Sequence, residues 1–227
     1  MLAWIDLEMT GLDPAQNVIV EIATLITDND LKILAVGPSL VIQASEDDLA
    51  KMDPYVVEMH TKSGLLDEIR NSEVTLEEAG KATLDFLQSY IDKEKSVPLA
   101  GNSIGTDRRF LAQWLPDIEN FLHYRCVDVS SIKELARRWF PEILADAPRK
   151  DGGHRAMDDI KASVKELEFY RSRIFTKEKP SSCQIPVLQN RKKRLAPIIT
   201  STLNKNRRRL VRRSLRSLLI LFAHNYP

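Results

Sequence analysis

Three apolar segments lie within the first 42 residues, the last two of them rich in β-branched residues, and they constrain the fold more than any other feature of the chain. They span Leu2–Leu7, Val18–Thr27 and Ile33–Ile42. Each has the length and composition of a β-strand. Asn29 and Asp30 lie between the second and third segments, where a hairpin turn would be expected. The sequence therefore predicts three strands at the start of the chain, the last two joined as a hairpin.

Helical periodicity dominates from about residue 53, but two short apolar segments, Val97–Ala100 and Tyr124–Val127, are typical of buried strands. The clearest predicted helix begins with Thr75 and Glu78, which are spaced as in a capping box. Helices are predicted over Thr75–Ile91, Asp107–Trp114, Val129–Trp139 and Arg155–Phe175. Strands that come first, followed by helices mixed with short strands, indicate an α/β domain with a mixed sheet flanked by helices.

Charge is distributed unevenly along the 227 residues. Of the 33 Lys and Arg residues, 12 lie in residues 179–227, which contain no Asp or Glu, so residues 1–178 have a net charge of −11. We therefore expect a domain over residues 1–176 and a basic, disordered extension over residues 177–227. Such an extension is either a nucleic-acid-binding arm or an addition without a role.

The composition excludes several classes of protein. No run of eighteen apolar residues occurs, so no membrane-spanning helix is expected. The first apolar run is too short for a signal peptide and lacks a basic leader. Two cysteines, Cys126 and Cys183, argue against a disulfide framework or a cysteine-bound metal. We expect a soluble, cytoplasmic protein that has no membrane partner.

Two acidic residues, Asp6 and Glu8, lie two residues apart within and just after the first apolar segment. Because side chains alternate along a strand, both carboxylates lie on the same side of the sheet. Two carboxylates so close together in an apolar setting repel each other unless a cation lies between them, and hard ions such as Mg²⁺ or Mn²⁺ prefer such oxygen ligands. The alternative is a strand edge at which both acids face water.

Asp107 precedes Phe110, Leu111 and Trp114 by three, four and seven residues, so a helix places it near their buried stripe. An acid that leans toward a core needs a partner, and a metal ion would provide one. Capping of the helix N-terminus by Asp107 explains the same position equally well.

The last predicted helix begins with two aspartates, and helical geometry distinguishes between them. At about 100° per residue, Asp159 lies within about 80° of Ala156, Ser163, Leu167 and Tyr170, whereas Asp158 lies near the opposite face. Asp159 is therefore expected beside the packed stripe. His154, in the glycine-flanked loop just before the helix, can reach the same cleft.

Four inward-leaning carboxylates on separate elements, together with a loop histidine, suit phosphoryl transfer with two metal ions. A histidine titrates near neutrality and can take the proton from an attacking water.

The same residues resemble the DEDDh exonucleases, a branch of the ribonuclease H-like fold, and more narrowly the oligoribonuclease family. The resemblance covers residues 1–176 in collinear order. It is carried by Trp4–Asp13, Gly101–Leu111, His123–Ser130, Glu134–Trp139 and His154–Ile160.

This resemblance implies a 3′→5′ exoribonuclease that acts as a homodimer on single-stranded RNA of two to about five nucleotides, with a preference for the shortest. It implies that four acids bind two divalent cations, Mg²⁺ or Mn²⁺, and that His154 is the general base. The four acids are Asp6, Glu8, Asp107 and Asp159.

The resemblance also implies contacts with the substrate. Leu12 would wedge against the bases, and Tyr124 from the other subunit would complete the catalytic site. The residues expected near the phosphate end of the substrate are Ser103, Arg125, Ser130 and Ser131.

Two other functions remain open from the sequence. One is a different DEDDh exonuclease, such as a proofreading subunit or a nuclease that trims tRNA, which would share the catalytic residues but not the other matching segments. The second is a catalytically silent nuclease fold that only binds RNA.

Overall fold

A five-stranded mixed sheet is the central layer of the computed structural model, which describes residues 1–148, 153 and 155–175. The strand order is β3-β2-β1-β4-β5, with β1–β3 antiparallel and β4 and β5 parallel to β1. The predicted α/β architecture with a mixed sheet is confirmed. The strands are β1 (Leu2–Met9), β2 (Ile19–Thr27), β3 (Ile33–Val41), β4 (Pro98–Gly101) and β5 (His123–Asp128).

Helices fill the connections that follow β3. The predicted helix after Thr75 is present, with the Thr75 hydroxyl accepting a hydrogen bond from the Glu78 amide at 3.2 Å and the Glu78 carboxylate accepting one from the Thr75 amide at 2.9 Å. The helices are α1 (Glu46–Leu49), α2 (Pro54–Lys62), α3 (Leu65–Asn71), α4 (Leu76–Tyr90), α5 (Gly105–Trp114), α6 (Pro116–Phe121), α7 (Val129–Trp139) and α8 (Ala156–Arg173), with a 3₁₀ helix over Pro141–Asp146.

Two hydrophobic clusters cover opposite faces of the sheet, and β1 contributes to both by strict alternation. Ala3, Ile5 and Leu7 pack into the cluster formed with α4, α5 and α6. Trp4 packs into the cluster formed with α7 and α8. Since Asp6 and Glu8 follow Trp4 at intervals of two, both carboxylates lie on the α8 face.

The carboxyl ends of β1, β4 and β5 meet at one edge of the sheet because these strands are parallel. Trp4 pairs with Ala100, and Gly101 pairs with Asp128. Gly101 approaches β1 so closely that a Cβ placed there would lie 3.4 Å from the Ile5 carbonyl oxygen. This edge therefore gathers the residues that follow all three strands.

The chain divides into two units, Met1–Lys179 and Pro180–Pro227. All described residues belong to the first unit, and the predicted basic, disordered extension lies outside them. Among the described helices, none combines the length and the apolar character needed to cross a bilayer.

Candidate metal centre

Three carboxylates meet at the carboxyl end of β1. Asp6, Glu8 and Asp159 each offer an oxygen, and these oxygens lie within 4.8 Å of one another. Glu8 is buried and Asp6 is half-buried, so the alternative in which both acids face water at a strand edge does not hold. A donor set made only of carboxylate oxygens fits a hard divalent cation.

Burial makes this cluster electrostatically costly without a cation. Removal from water, and then the nearby charge of Asp159, raises the pKa of Glu8 from 4.5 to about 8. Glu21 and Asp107 raise it further, and Arg155 opposes them. A carboxyl group that resists ionisation at neutral pH lacks positive charge around it, which bound metal would supply.

Asp107 lies beside this cluster on a different element. Helix α5 begins at Gly105, two residues before Asp107, so the capping alternative is not what the structure shows. The Asp107 carboxylate instead accepts a hydrogen bond of 3.1 Å from the amide of Leu7, the residue between Asp6 and Glu8. Burial raises its pKa to about 7. Among the described residues, the group of three carboxylates whose oxygens lie close together does not include Asp107.

The two aspartates at the start of α8 differ in exposure as helical phase predicts. Asp158 is exposed and lies 3.9 Å from the Lys161 ammonium, whereas Asp159 is half-buried. The residues expected on the Asp159 side are all buried: Ala156, Ser163, Leu167 and Tyr170. His154 lies outside the described residues, so its role as general base stays a prediction.

Glu21 is a buried acid that sequence reasoning did not identify. It pairs with Glu8 across β1 and β2 and is 2% exposed. Its carboxylate lies 3.2 Å from the Arg155 guanidinium and accepts a 3.3 Å hydrogen bond from the Ala156 amide. Burial raises the pKa of Glu21, while Ala156 and Arg155 oppose that rise. The available signal was an isolated acid in an otherwise apolar strand.

Arg155 joins three elements around the start of α8. Besides Glu21 on β2, its guanidinium donates two hydrogen bonds, of 2.7 and 2.8 Å, to the Glu68 carboxylate on α3. Because Arg155 immediately precedes α8, these contacts anchor the first turn of the helix, which carries Asp159. This clamp was also missed by sequence reasoning.

His60, on α2, is a third residue that sequence reasoning missed. It is fully buried, its Nε2 lies 3.0 Å from the Met9 carbonyl oxygen, and its Nδ1 lies 4.0 Å from a Glu8 carboxylate oxygen. These contacts hold the last residues of β1, which carry Glu8. Sequence reasoning offered no signal here because it did not resolve α2 as a separate helix.

The serines expected at the phosphate end of the substrate are close together after β4 and β5. Ser103 has a left-handed backbone, with φ of 53°, and its amide donates hydrogen bonds of 3.0 Å to both the Asp128 carboxylate and the Ser130 hydroxyl. Ser131 donates to the same carboxylate at 3.2 Å. Asp128, which organises all three serines, was not predicted.

Leu12, Tyr124 and Arg125 are exposed, with Leu12 71% and Tyr124 72% accessible. The Arg125 guanidinium lies 5.4 Å from the centre of the Tyr124 ring. The Leu12 carbonyl oxygen accepts a 3.4 Å hydrogen bond from Arg109. Large apolar side chains this exposed are available for contacts with a ligand or another chain.

Comparison with known proteins identifies close relatives. The sequence model of the exonuclease family RNase_T matches residues 3–167. The oligoribonuclease of Klebsiella pneumoniae is 55% identical over 170 residues, which cover 75% of this chain and 93% of that protein. The oligoribonuclease of Aeromonas hydrophila is 53% identical over 174 residues, covering 77% and 95%. That of Corynebacterium glutamicum is 50% identical over 177 residues, covering 78% and 81%.

Solved structures with the same fold include exonuclease I. The enzyme from Methylocaldum szegediense gives a TM-score of 0.56 at 17% identity, over 77% of this chain and 41% of that one. Escherichia coli exonuclease I in complex with a 5cy-dA13 oligonucleotide gives 0.55 at 14% identity, over 75% and 40%. This chain thus spans about two fifths of the length of those proteins. The likeness confirms the ribonuclease H-like fold.

The raised pKa values predict how the stability of the metal-free protein depends on pH. With pKa values of about 8 for Glu8 and about 7 for Asp107, the folded state binds more protons than the unfolded state above about pH 4.5. The free energy of unfolding should therefore fall as pH rises to about 8. Chemical denaturation with chelator present would measure this, and Glu8→Gln should show a shallower decline. Equal slopes for both proteins would contradict the burial of an ionisable Glu8.

The difference between the two aspartates predicts the effect of replacing each. Asp159→Asn should lower the rate of RNA hydrolysis by about 100-fold or more, because it removes a charged ligand from the carboxylate cluster. Asp158→Asn serves as the matched control and should change the rate by less than about twofold, since an exposed charge contributes little. Equal losses in the two variants would contradict the assignment of Asp159 to the site.

Proposed function

Because the chain belongs to the oligoribonuclease family and is a hydrolytic 3′→5′ exoribonuclease, we propose that it cleaves very short RNA, dinucleotides above all, to nucleoside 5′-monophosphates with two divalent cations. The observation that carries this proposal is the cluster of Asp6, Glu8 and Asp159.

Four acids would hold the cations, which we propose to be Mg²⁺ or Mn²⁺. Asp6, Glu8 and Asp159 form the close group, and Asp107 is held beside it by the Leu7 amide. When bound, two such cations stabilise the attacking and leaving oxygens of an in-line displacement. The fixed strand β1 and the anchored start of α8 keep the acids in place, so little rearrangement is needed when the substrate binds.

His154 is proposed as the general base that takes the proton from the attacking water. A neutral imidazole can accept that proton near neutral pH. Its chain position supports the role, since the neighbouring Arg155 is tied to β2 and α3. In the sequence, His154 directly precedes Arg155 and lies five residues before Asp159.

Preference for the shortest RNA is proposed to come from contacts at both ends of a dinucleotide. The guanidinium of Arg125 and the hydroxyl groups of Ser103, Ser130 and Ser131 are proposed to contact a terminal phosphate. The Ser130 and Ser131 hydroxyls donate to Asn102 and Asp128 in this structure, so each would have to turn to donate to the phosphate. The exposed Leu12 side chain suits contact with a base. Stacking or apolar contact of this kind contributes about 1–3 kcal/mol per base.

A homodimer is proposed from the exposed apolar side chains on and just after α7 and from the exposed Tyr124. On α7, Leu135 and Trp139 are spaced four residues apart on one face, and both are exposed, Trp139 by 65%. Phe140 follows directly and is also exposed. A second subunit bound here would bury these side chains and bring Tyr124 of one chain toward the carboxylates of the other.

We further propose that the protein acts in the cytoplasm. The support is chemical: Cys126 is a free, exposed cysteine, which suits a reducing compartment.

The proposed activity predicts cleavage of a 5′-labelled RNA dinucleotide to mononucleotides by the full chain with Mn²⁺. The rate per bond should be higher than on RNA of seven or more nucleotides, because only a short substrate contacts both ends of the site. Gel or chromatographic separation of the products would measure both rates, and a chelator should abolish them. Preferential cleavage of longer RNA or of DNA would contradict the substrate assignment, and RNA binding without cleavage would favour a silent fold.

The shared site predicts complementation between two inactive variants. Asp6→Ala and Tyr124→Ala should each be inactive alone, whereas a heterodimer of the two has one site with both native residues. Activity per heterodimer should return to up to about half that of the native dimer. Subunits would be dissociated and mixed, and heterodimers confirmed by mass before the assay. Heterodimers that form and stay inactive would contradict a role for Tyr124 in the partner's site.

A further inference from the structure

Asn102 lies at the centre of a hydrogen-bonded network between the sheet and helices α7 and α8. We call this the Asn102 network, and it comprises Asn102, Ser130, Lys133, Ser163, Glu166 and Tyr170. None of its members belongs to the carboxylate cluster, and one of them, Ser130, is also among the serines expected at the phosphate end of the substrate. Ser163, Glu166 and Tyr170 are buried, so each of their polar groups needs a partner.

One side of Asn102 contacts the helix that carries Asp159. The Asn102 Nδ2 donates to the Ser163 Oγ at 2.8 Å and to a Glu166 carboxylate oxygen at 3.2 Å. The Ser163 hydroxyl in turn donates to the Asp159 carbonyl oxygen at 2.7 Å. Two hydrogen bonds therefore connect the Asn102 side chain to the main chain of Asp159.

The other side of Asn102 contacts the proposed phosphate site formed by Ser103 and Ser130, which we call the Ser103–Ser130 pocket. Its Oδ1 accepts a 3.0 Å hydrogen bond from the Ser130 hydroxyl, and the Ser130 oxygen accepts one of 3.0 Å from the Ser103 amide. The amide of Asn102 thus uses both hydrogens of its nitrogen and its oxygen at the same time. One side chain connects the serines at the ends of β4 and β5 with the first turns of α8.

Glu166 determines which way the Asn102 amide points. Its carboxylate also accepts a hydrogen bond of 3.1 Å from the Tyr170 hydroxyl and lies 3.0 Å from the Lys133 ammonium. An ionised carboxylate only accepts hydrogen bonds, so the nitrogen of Asn102 must face Glu166 and the oxygen must face Ser130. The orientation is therefore fixed by charge as well as by packing.

We propose that Asn102 is a positioning residue that holds Asp159 and the Ser103–Ser130 pocket at a set distance, so that a terminal phosphate in that pocket accelerates hydrolysis at the carboxylate cluster. This inference rests on the proposed function. A dinucleotide has a single phosphodiester bond between its two nucleosides. The distance between the Ser103–Ser130 pocket and the carboxylate cluster therefore decides whether that bond lies at the carboxylates. A displacement of about 1 Å can lower a rate by about 100-fold.

The test compares two dinucleotides that differ only in a 5′-phosphate, with kcat and KM measured separately for each. In the native protein the phosphate should raise kcat as well as lower KM. In Asn102→Ala, kcat for the phosphorylated substrate should fall about 10- to 100-fold, while kcat for the other substrate should change by less than about threefold. The kcat advantage of the phosphate should therefore disappear.

Two further variants keep the test decisive. Ser163→Ala removes the contact with Asp159 but leaves the contacts of Asn102 with Glu166 and Ser130. This variant should lose part of the kcat advantage of the phosphate. It provides the test if Asn102→Ala fails to fold. Thr83→Val, on α4, is the matched control: its buried hydroxyl has no hydrogen-bond partner among the described residues. It should leave the kcat advantage of the phosphate unchanged.

Several outcomes would overturn the inference. An equal fall in kcat on both substrates would mean that the network only stabilises the fold. A change confined to KM would mean that the Asn102 network only shapes the Ser103–Ser130 pocket. A native protein that cleaves both dinucleotides with the same kcat would overturn the coupling and leave the proposed function standing, whereas a native protein that cleaves neither would contradict the proposed function itself.

Discussion

The confinement of three carboxylates at the carboxyl end of β1, where Glu8 is both buried and repelled by its acidic neighbours, is the constraint on which the rest of the site depends. Asp6 and Glu8 cannot move apart, since they lie on one strand whose other residues are packed in two hydrophobic clusters. Asp159 is brought within 4.8 Å of them by a helix that packs on the same face. The folding of the apolar residues therefore forces acids together that would separate in water, and hydrophobic burial supplies the free energy for it.

Positive groups offset this repulsion only in part. Arg155 faces Glu21 and Glu68, so most of its charge is matched by acids outside the cluster. The amides at the start of α8 favour negative charge near Asp159. What remains is a pocket of negative potential, which protons lower in the metal-free protein and which a bound cation would offset without protonation. We therefore expect metal binding to favour the approach of a phosphate group as well as the chemistry.

Local geometry explains which parts of the site could be predicted from sequence. The shared face of Asp6 and Glu8 follows from the two-residue period of a strand, and the difference between Asp158 and Asp159 follows from helical phase. The partners of these residues could not be predicted in the same way. Arg155 meets Glu21 across 134 residues of sequence, and Asn102 meets Glu166 across 64, so each contact depends on how helices pack on the sheet. Helices α1–α3 and α6 are short, with four to nine residues, and periodicity is weak over such lengths.

The charge of residues 1–178 bears on the proposed preference for short RNA. Residues 1–178 have a net charge of −11, so the field of the unit as a whole repels RNA, and the repulsion grows with the number of phosphates. Attraction must then be local. Arg109, which donates to the Leu12 carbonyl oxygen, and Arg125, beside Tyr124, place positive charge next to two exposed side chains. Of these, Leu12 is proposed to contact a base and Tyr124 to complete the site of the partner subunit. Two guanidinium groups can balance the few charges of a dinucleotide but not those of a long strand. Electrostatics therefore supports the same substrates that the proposed contacts at both ends of a dinucleotide would select.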